Sequence, residues 1–445
     1  MSALSLLSLR EALEGGAPAV IATCAPDGTP NVSYLSDAQY VDERHLALSY
    51  QFFNKTRRNV LANSFVRILI IHPETAQRTR ILAQYVRTEE SGALFERMRA
   101  RLAGIASHEG MADVFRLRGA DVYRVLSVEP VPCLTVPVPP RPSVLPPLRA
   151  TIEAIVKSRE MDALLDNTLG ALEREFGIAH SMILTLDPTT RRLYAVAIRG
   201  YKRRGGIGGE VREGEGVIGI AAEVGCPIRI PHALAEHAYA RAVRAQTEEA
   251  GLDEPLGAAI PLPGLPSPGS QMAVPIRDGE RVAGVLYVED AESQRFRYDD
   301  EDALATITDA LGLAMRQLED SLPGVSAPKP AAARGDDALR PLRARYFPRQ
   351  CTVFVDDEYV IKGVAGAVLW KLLRAHAETG RSEFTSRELR EDPSLQLPEL
   401  CDNLAARLIL LQRRLDERDA GLYLRKSGRG RVQLELRRPL ELARD

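Results

Sequence analysis

MAVPIRDGERVAGVLYVEDAESQRFRYDDEDA, residues 272–303, is the stretch on which the architecture turns. Its two apolar runs, 272–276 and 282–289, meet at Arg277-Asp278-Gly279-Glu280, whose Asp-Gly pair suits a hairpin turn. Phe296 follows as a core plug, and Asp299 or Asp300 stands where a carboxylate caps the next helix and complements its dipole. That helix is expected over 301–318, with Leu304, Ile307, Leu311 and Leu318 at helical spacing.

Upstream, a helix with apolar positions Ile152, Ile155, Met161, Leu164, Leu165, Leu169 and Leu172 leads into strands at 181–187 and 193–199, which turn at Asp187-Pro188. Gly214-Glu215-Gly216-Val217-Ile218-Gly219 opens a short helix, residues 227–230 form a strand, and a helical insertion follows. In order, IRGY, GEGVIG, GCPIRIP, MAVPI, VAGVLYVED and FRYDDEDA resemble a GAF domain, an α/β sandwich, over the whole of 148–322. The resemblance implies a sensory module with a small-molecule ligand held between the sheet and its connecting helices. Cyclic-nucleotide-binding members carry an Asn-Lys pair where this chain has Glu289 and Asp290, so the match at Phe296, Asp300 and Glu301 reads as structural. Segment 233–246 is expected to cover the pocket, with Tyr239 and Arg241 as candidate ligand contacts. His232 and His237 fall about 140° apart around a helix and do not form a metal-binding face. The apolar stripes of the flanking helices suit dimer contacts.

Two proline-rich seams bound this block. One holds Pro130, Pro132, Pro137, Pro139, Pro140, Pro142, Pro146 and Pro147; the other runs over 322–348. Dense proline removes donors and fixes φ, so both are expected as semi-rigid linkers, at 131–147 and 323–348. Three blocks suit a chain of 445 residues. The formal charge of −2 gives no global attraction to nucleic acid, so any basic surface is local. No apolar run reaches the roughly 20 residues of a membrane span, and no cleavable leader is evident, which predicts a cytoplasmic protein without membrane partners. Cys24, Cys133, Cys226, Cys351 and Cys401 lie far apart, so neither a zinc knuckle nor a disulfide framework is signalled.

In the first block, 1–130, strands are expected at 19–23, 31–35, 46–50, 66–72, 80–87, 114–117 and 122–128, with helices at 56–62 and 90–102. IATCAPDGTPNVSYLS and QFFNKTRRNVLANSFVRILI resemble the pyridoxamine-phosphate-oxidase-like family of FMN-binding split β-barrels. The resemblance implies FMN, held at its phosphate by Asn54, Lys55, Thr56 and Arg58 with Arg78 and Arg80 adding to the patch, and a homodimer with the flavin between subunits. Cations and hydroxyls at a helix N-terminus suit a phosphate. The same residues also read as a plain helix cap beside a solvated basic face, with Ser64 where the family commonly has Pro.

The third block, 349–445, reads as a strand pair over 353–360 turning at Asp356-Asp357, then a helix at 364–377. A second helix starts at Thr385 or Ser386, with Glu388 as capping partner. In a third helix, Leu404, Leu408, Leu411 and Leu415 fall within about 60° of arc. Two strands then meet at Ser427-Gly428. This order resembles the winged-helix output domain of response regulators, which implies DNA contacts by Arg407, Arg413 and Arg414 from the helix and by Arg425, Lys426, Arg429 and Arg431 from the wing. Pairing with Asp416, Glu417 and Asp419 on a solvated helix is the plain alternative. Ile409 and Leu410 lie outside the core stripe and suit a helix packed on protein.

The fold class is thus multidomain α+β: split β-barrel, GAF α/β sandwich and winged helix. The leading expectation is a dimeric, ligand- or redox-responsive DNA-binding transcriptional regulator. An FMN-dependent oxidoreductase regulated by a GAF domain, and a cofactor-free scaffold, are the alternatives.

Overall fold

The computed structural model describes residues 5–14, 19–35, 37–50, 55–108, 117–138, 140–201, 206–231, 262–266, 268–320, 341–348, 351–395, 404–428 and 430–444. In the first block, strands β1 (Ala19–Cys24), β2 (Pro30–Leu35), β3 (Ala38–Asp42), β4 (His45–Tyr50), β5 (Phe65–Ile71), β6 (Arg78–Glu89) and β7 (Gly119–Val131) form one antiparallel sheet, ordered β2-β1-β5-β6-β7-β4-β3. Alternation places Ile21, Leu46, Leu48, Ile68, Ile70 and Ile81 inside, where burial of branched side chains holds the sheet together. Helices α1 (Arg10–Glu14), α2 (Lys55–Ala62) and α3 (Ala93–His108) complete the block. The sequence reading missed β3, whose AQYVD carries only a short apolar signal between polar neighbours. The expected pair at 114–117 and 122–128 is represented by the single long β7, and 114–116 lie outside the described residues.

In the central block, the expected leading helix is two helices, α4 (Leu145–Lys157) and α5 (Met161–Phe176), because Ser158 adopts extended backbone at the end of α4. Pro146 and Pro147 sit in the first turn of α4, where their missing N–H groups cost nothing. Strands β8 (His180–Asp187), β9 (Arg192–Arg199), β10 (Glu210–Arg212), β11 (Ile228–Ile230), β12 (Ser270–Asp278) and β13 (Arg281–Asp290) form a sheet ordered β10-β9-β8-β13-β12-β11. Its helices are α6 (Gly216–Val224) and α7 (Tyr298–Asp320). Both sheet faces are buried: Ile183, Val196, Val274 and Leu286 pack toward α4, α5 and α7, while Met182, Leu184, Ala273 and Val285 pack toward α6. The first block's α3 also lies against α6 and β11.

The third block contains β14 (Leu342–Phe347), β15 (Thr352–Val355), β16 (Glu358–Ile361), α8 (Gly363–Thr379), β17 (Glu383–Thr385), α9 (Ser386–Arg390), α10 (Leu404–Arg418), β18 (Leu422–Gly428), β19 (Arg431–Leu436) and β20 (Leu440–Arg444). Strand β14 lies within the stretch expected to be linker; Leu342, Ala344 and Tyr346 alternate inward, and β20 pairs beside it in parallel. The cap of α9 forms as expected, with the Glu388 N–H donating to Thr385 Oγ1 at 3.2 Å. The β18–β19 hairpin also forms, with β17 on its other edge. Central and third blocks share one apolar core, in which α10 packs against β9 and α5 as well as against α8 and β18.

Candidate functional site

The inner face of the central sheet, under α6, is apolar except at one corner. Residues 285, 287 and 289 of β13 share this face by strand alternation, and register sets Glu289 between His180 of β8 and Gln271 of β12. Glu289 is 2% exposed. Its carboxylate accepts the Leu265 N–H at 2.8 Å and the Tyr287 hydroxyl at 3.2 Å. Burial pushes the Glu289 carboxyl up from the usual range, and these donors offset only part of that. Burial, together with the neighbouring carboxylate, pushes the phenols of Tyr287 and Tyr201 up as well, so both are proton donors at neutral pH. The Tyr201 ring lies 5.4 Å from that of His180, and its hydroxyl is buried beside the Glu289 carboxylate. Gly200 makes this corner accessible to Tyr201: it has φ of +90°, and a Cβ there would sit 1.8 Å from the Ala179 carbonyl oxygen. An acid, two phenols, an imidazole and an amide on an apolar wall can hold a small polar ligand by directed hydrogen bonds.

In the first block, Lys55 and Arg58 are exposed on α2, and Thr56 Oγ1 accepts from Asn31 Nδ2 at 2.9 Å. Asn54 lies outside the described residues. Arg78 and Arg80 are not brought to this turn: Arg78 pairs with Ile71 and Arg80 with Leu69, at the opposite end of β5 from the Thr23–Asn31 level. Five residues of strand separate Arg78 from that level, about 17 Å. Arg57, between Thr56 and Arg58 on α2, is enclosed: it donates to Asp121 at 2.6 Å and Thr88 at 2.8 Å, and lies over the rings of Tyr50 and Tyr85. Burial pushes the Asp121 carboxyl up, against the Thr88 hydroxyl bond and the Arg57 charge.

A family model for the GAF domain matches residues 158–316, and one for pyridoxamine 5'-phosphate oxidase matches residues 8–130. The chain therefore carries a GAF domain behind a pyridoxamine-phosphate-oxidase-like domain. Neither match reaches the third block. Among solved structures, an FMN-binding protein from Syntrophomonas wolfei is 15% identical, covers 29% of this chain and 87% of its own, and has a TM-score of 0.25. The GAF domain of an Acinetobacter phosphoenolpyruvate-protein phosphotransferase is 19% identical over 40% of this chain and 95% of its own, with a TM-score of 0.31. Free methionine-R-sulfoxide reductase from Neisseria meningitidis, solved with its substrate, is 18% identical over 39% of this chain and 89% of its own, with a TM-score of 0.30. At such scores none of the three bears on this chain's geometry. No curated protein matches the chain.

The GAF domain also receives some of the third block's cations, Arg407, Arg413 and Lys426. Arg407, Arg413 and Arg414 were expected to face DNA, and all three are engaged by protein. Arg407 is 2% exposed and donates from Nη2 to the Leu186 carbonyl at 2.6 Å. Arg413 donates to the Val196 carbonyl at 3.0 Å and to Asp162 and Asp166 of α5 at 2.5 and 2.9 Å. Arg414 donates to the Val360 carbonyl at 3.1 Å and pairs with Glu417. On the hairpin, Arg425 pairs with Asp416 at 2.9 Å, Lys426 pairs with Glu160, and Arg431 is half-buried at the start of β19. Arg429, Tyr239, Arg241, His232 and His237 lie outside the described residues.

Glu289, Tyr287 and His180 were not picked out as site residues, although a signal existed. Counting by twos along VAGVLYVED places an ionisable carboxyl at the inward phase of a buried strand, which is the pattern of a functional or paired acid.

Proposed function

We propose that the chain is a signalling protein in which the GAF domain senses a small molecule and the third block, as a winged helix, delivers the response by binding DNA. The observation that carries the reading is Glu289, a buried carboxyl set among Tyr201, Tyr287, His180 and Gln271 on the sheet face that is otherwise apolar. The core shared with the third block supports the coupling, since α10 packs on β9 of the same sheet that carries Glu289, against its opposite face. A ligand drives the response only by binding one arrangement better than another. No described helix is long and apolar enough to cross a membrane, and cytoplasmic action is part of the same proposal.

The test is to denature purified full-length protein and identify what is released by mass. Glu289→Gln keeps the shape and removes the acid, and should lower occupancy by about tenfold, the cost of one lost charged hydrogen-bond partner. Equal occupancy in both proteins, or no small molecule in either, would remove the acid corner as the sensing site.

The first domain is proposed to hold FMN, with its phosphate at Asn54, Lys55, Thr56 and Arg58, and to pair as a homodimer. Exposed Lys55 and Arg58 beside the Thr56–Asn31 bond support the phosphate placement. Val32, Tyr34 and Phe65, all exposed on one side of the sheet and two of them on its edge strand β2, support a second copy. Flavin absorbance in the purified protein tests the cofactor. Bleaching by NAD(P)H with repeated turnover would move the reading to an FMN-dependent oxidoreductase; the flavin itself supplies the hydride chemistry.

A further inference from the structure

The contacts that enclose α10 are those a nucleic acid would need to displace. At the N-terminal end of α5, Glu160 stands in the cap position, and Asp162 and Asp166 lie one turn apart on the same face. These three carboxylates meet cations from both parts of the third block: Arg413 from the helix and Lys426 from the hairpin. Deeper in the same interface, Asp187 accepts the Val364 N–H at 3.0 Å and so caps α8 from another domain, while Glu210 pairs with Lys362 at 2.7 Å. Glu319 of α7 likewise accepts the Ala405 N–H at 3.0 Å, at the start of α10.

The chemistry of this face is that of a phosphate backbone, with anionic oxygens spaced along a helix and opposed to arginine and lysine. We propose that the acidic corner of the GAF domain, Glu160, Asp162 and Asp166, is a built-in competitor for the third block's cations, holding it in a closed arrangement that excludes nucleic acid. This rests on the DNA-binding reading of the third block and adds its regulation. The corner is suited to reversible closure. The side chains of Asp162 and Asp166 are 54% and 60% exposed, so on opening water takes over their solvation, and exposed pairs of this kind are weak and screened by salt. Apparent affinity for DNA then scales with the fraction of molecules that are open.

The experiment uses the full chain carrying Glu160→Gln, Asp162→Asn and Asp166→Asn together. The control carries the same charge change at Glu153, Glu173 and Glu175, which pair with neighbours inside the GAF domain. Two readouts are taken: amide hydrogen exchange along α10, and binding of a random-sequence DNA duplex of about 30 base pairs by fluorescence anisotropy. Closure predicts that exchange in α10 and duplex affinity both rise by about the same factor, on the order of tenfold, in the first variant and in neither case in the control. Exchange in β12 and β13 should stay at the wild-type rate, which separates opening from general loss of stability.

Unchanged exchange in α10 overturns the proposal, even if the duplex binds better, because lost repulsion alone explains that gain. Faster exchange in α10 with no duplex bound by any variant keeps the closure and removes the DNA-binding reading on which its purpose rests.

Discussion

Helix α10 and the β18–β19 hairpin carry similar sets of cations, and the fold treats them differently. Arg407 is 2% exposed and is held by a carbonyl of the GAF sheet. The side chains of Arg425 and Lys426 are 40% and 44% exposed, paired at a rim that solvent reaches. The difference lies in what each cation opposes. In α10, carbonyls of β8 and β9 replace the water that the Arg407 and Arg413 guanidiniums would lose, and the surrounding apolar residues seal that contact, while the α5 carboxylates meet Arg413 from the solvent side. On the hairpin no such seal exists, and the ion pairs compete with water and salt. A cluster of arginines therefore states that counter-charge is needed, without stating that it belongs to another molecule.

The buried side of this comparison should give the largest effect when broken. Glu210→Gln leaves Lys362, itself 6% exposed, without its carboxylate at the junction of GAF domain and third block. A loss of about 3 kcal/mol in unfolding free energy is expected, measured by denaturant titration of the full chain. A loss under about 0.5 kcal/mol would place this pair with surface ion pairs.

Next in size is the backbone contact at the start of α8. Gly363 has φ of +71°, and a Cβ there would lie 2.6 Å from Asp187 Oδ2. Gly363→Ala should cost about 2 kcal/mol through strain and the weakened inter-domain cap, with faster amide exchange in the first turn of α8 as the second sign. Unchanged exchange there would show that the cap does not fasten the two domains.

The hairpin should show the smallest effect on stability and the clearest effect on binding. Arg429→Glu with Arg431→Glu is expected to change unfolding free energy by no more than about 0.5 kcal/mol. The same variant should weaken duplex binding and lower the salt slope by about 2. Equal retention of duplex by the variant and the wild type would end the wing assignment.

Much of the secondary structure was legible because local pattern and tertiary role agree. The Asp278-Gly279 hairpin and the Thr385–Glu388 cap form where their residue types require them, whereas Ser427 and Gly428, expected as the turn, are the last residues of β18, and the hairpin closes between Gly428 and Arg431. Errors fell where local pattern is weak or where a partner comes from far away. Strand β14 sits beyond a proline- and alanine-rich stretch and gains its place from pairing with β20, nearly a hundred residues later in the chain. The acid corner was passed over because Glu289 is one carboxyl among many in the sequence, and only the register with His180 and Gln271 sets it apart. Arg78 and Arg80 follow the same logic in reverse, near Arg58 in the chain and set at the other end of β5 by pairing.

By itself, the sequence determined the order and the pyridoxamine-phosphate-oxidase-like and GAF character of the first two blocks, and most helices and hairpins, since these depend on spacing, turns and caps within a few residues. Only the tertiary structure decided which charges are spent inside the molecule. Ion pairs such as Lys362 with Glu210 and Arg413 with Asp162 join residues more than a hundred positions apart, and Coulomb attraction acts on distance in space, which no count along the chain supplies.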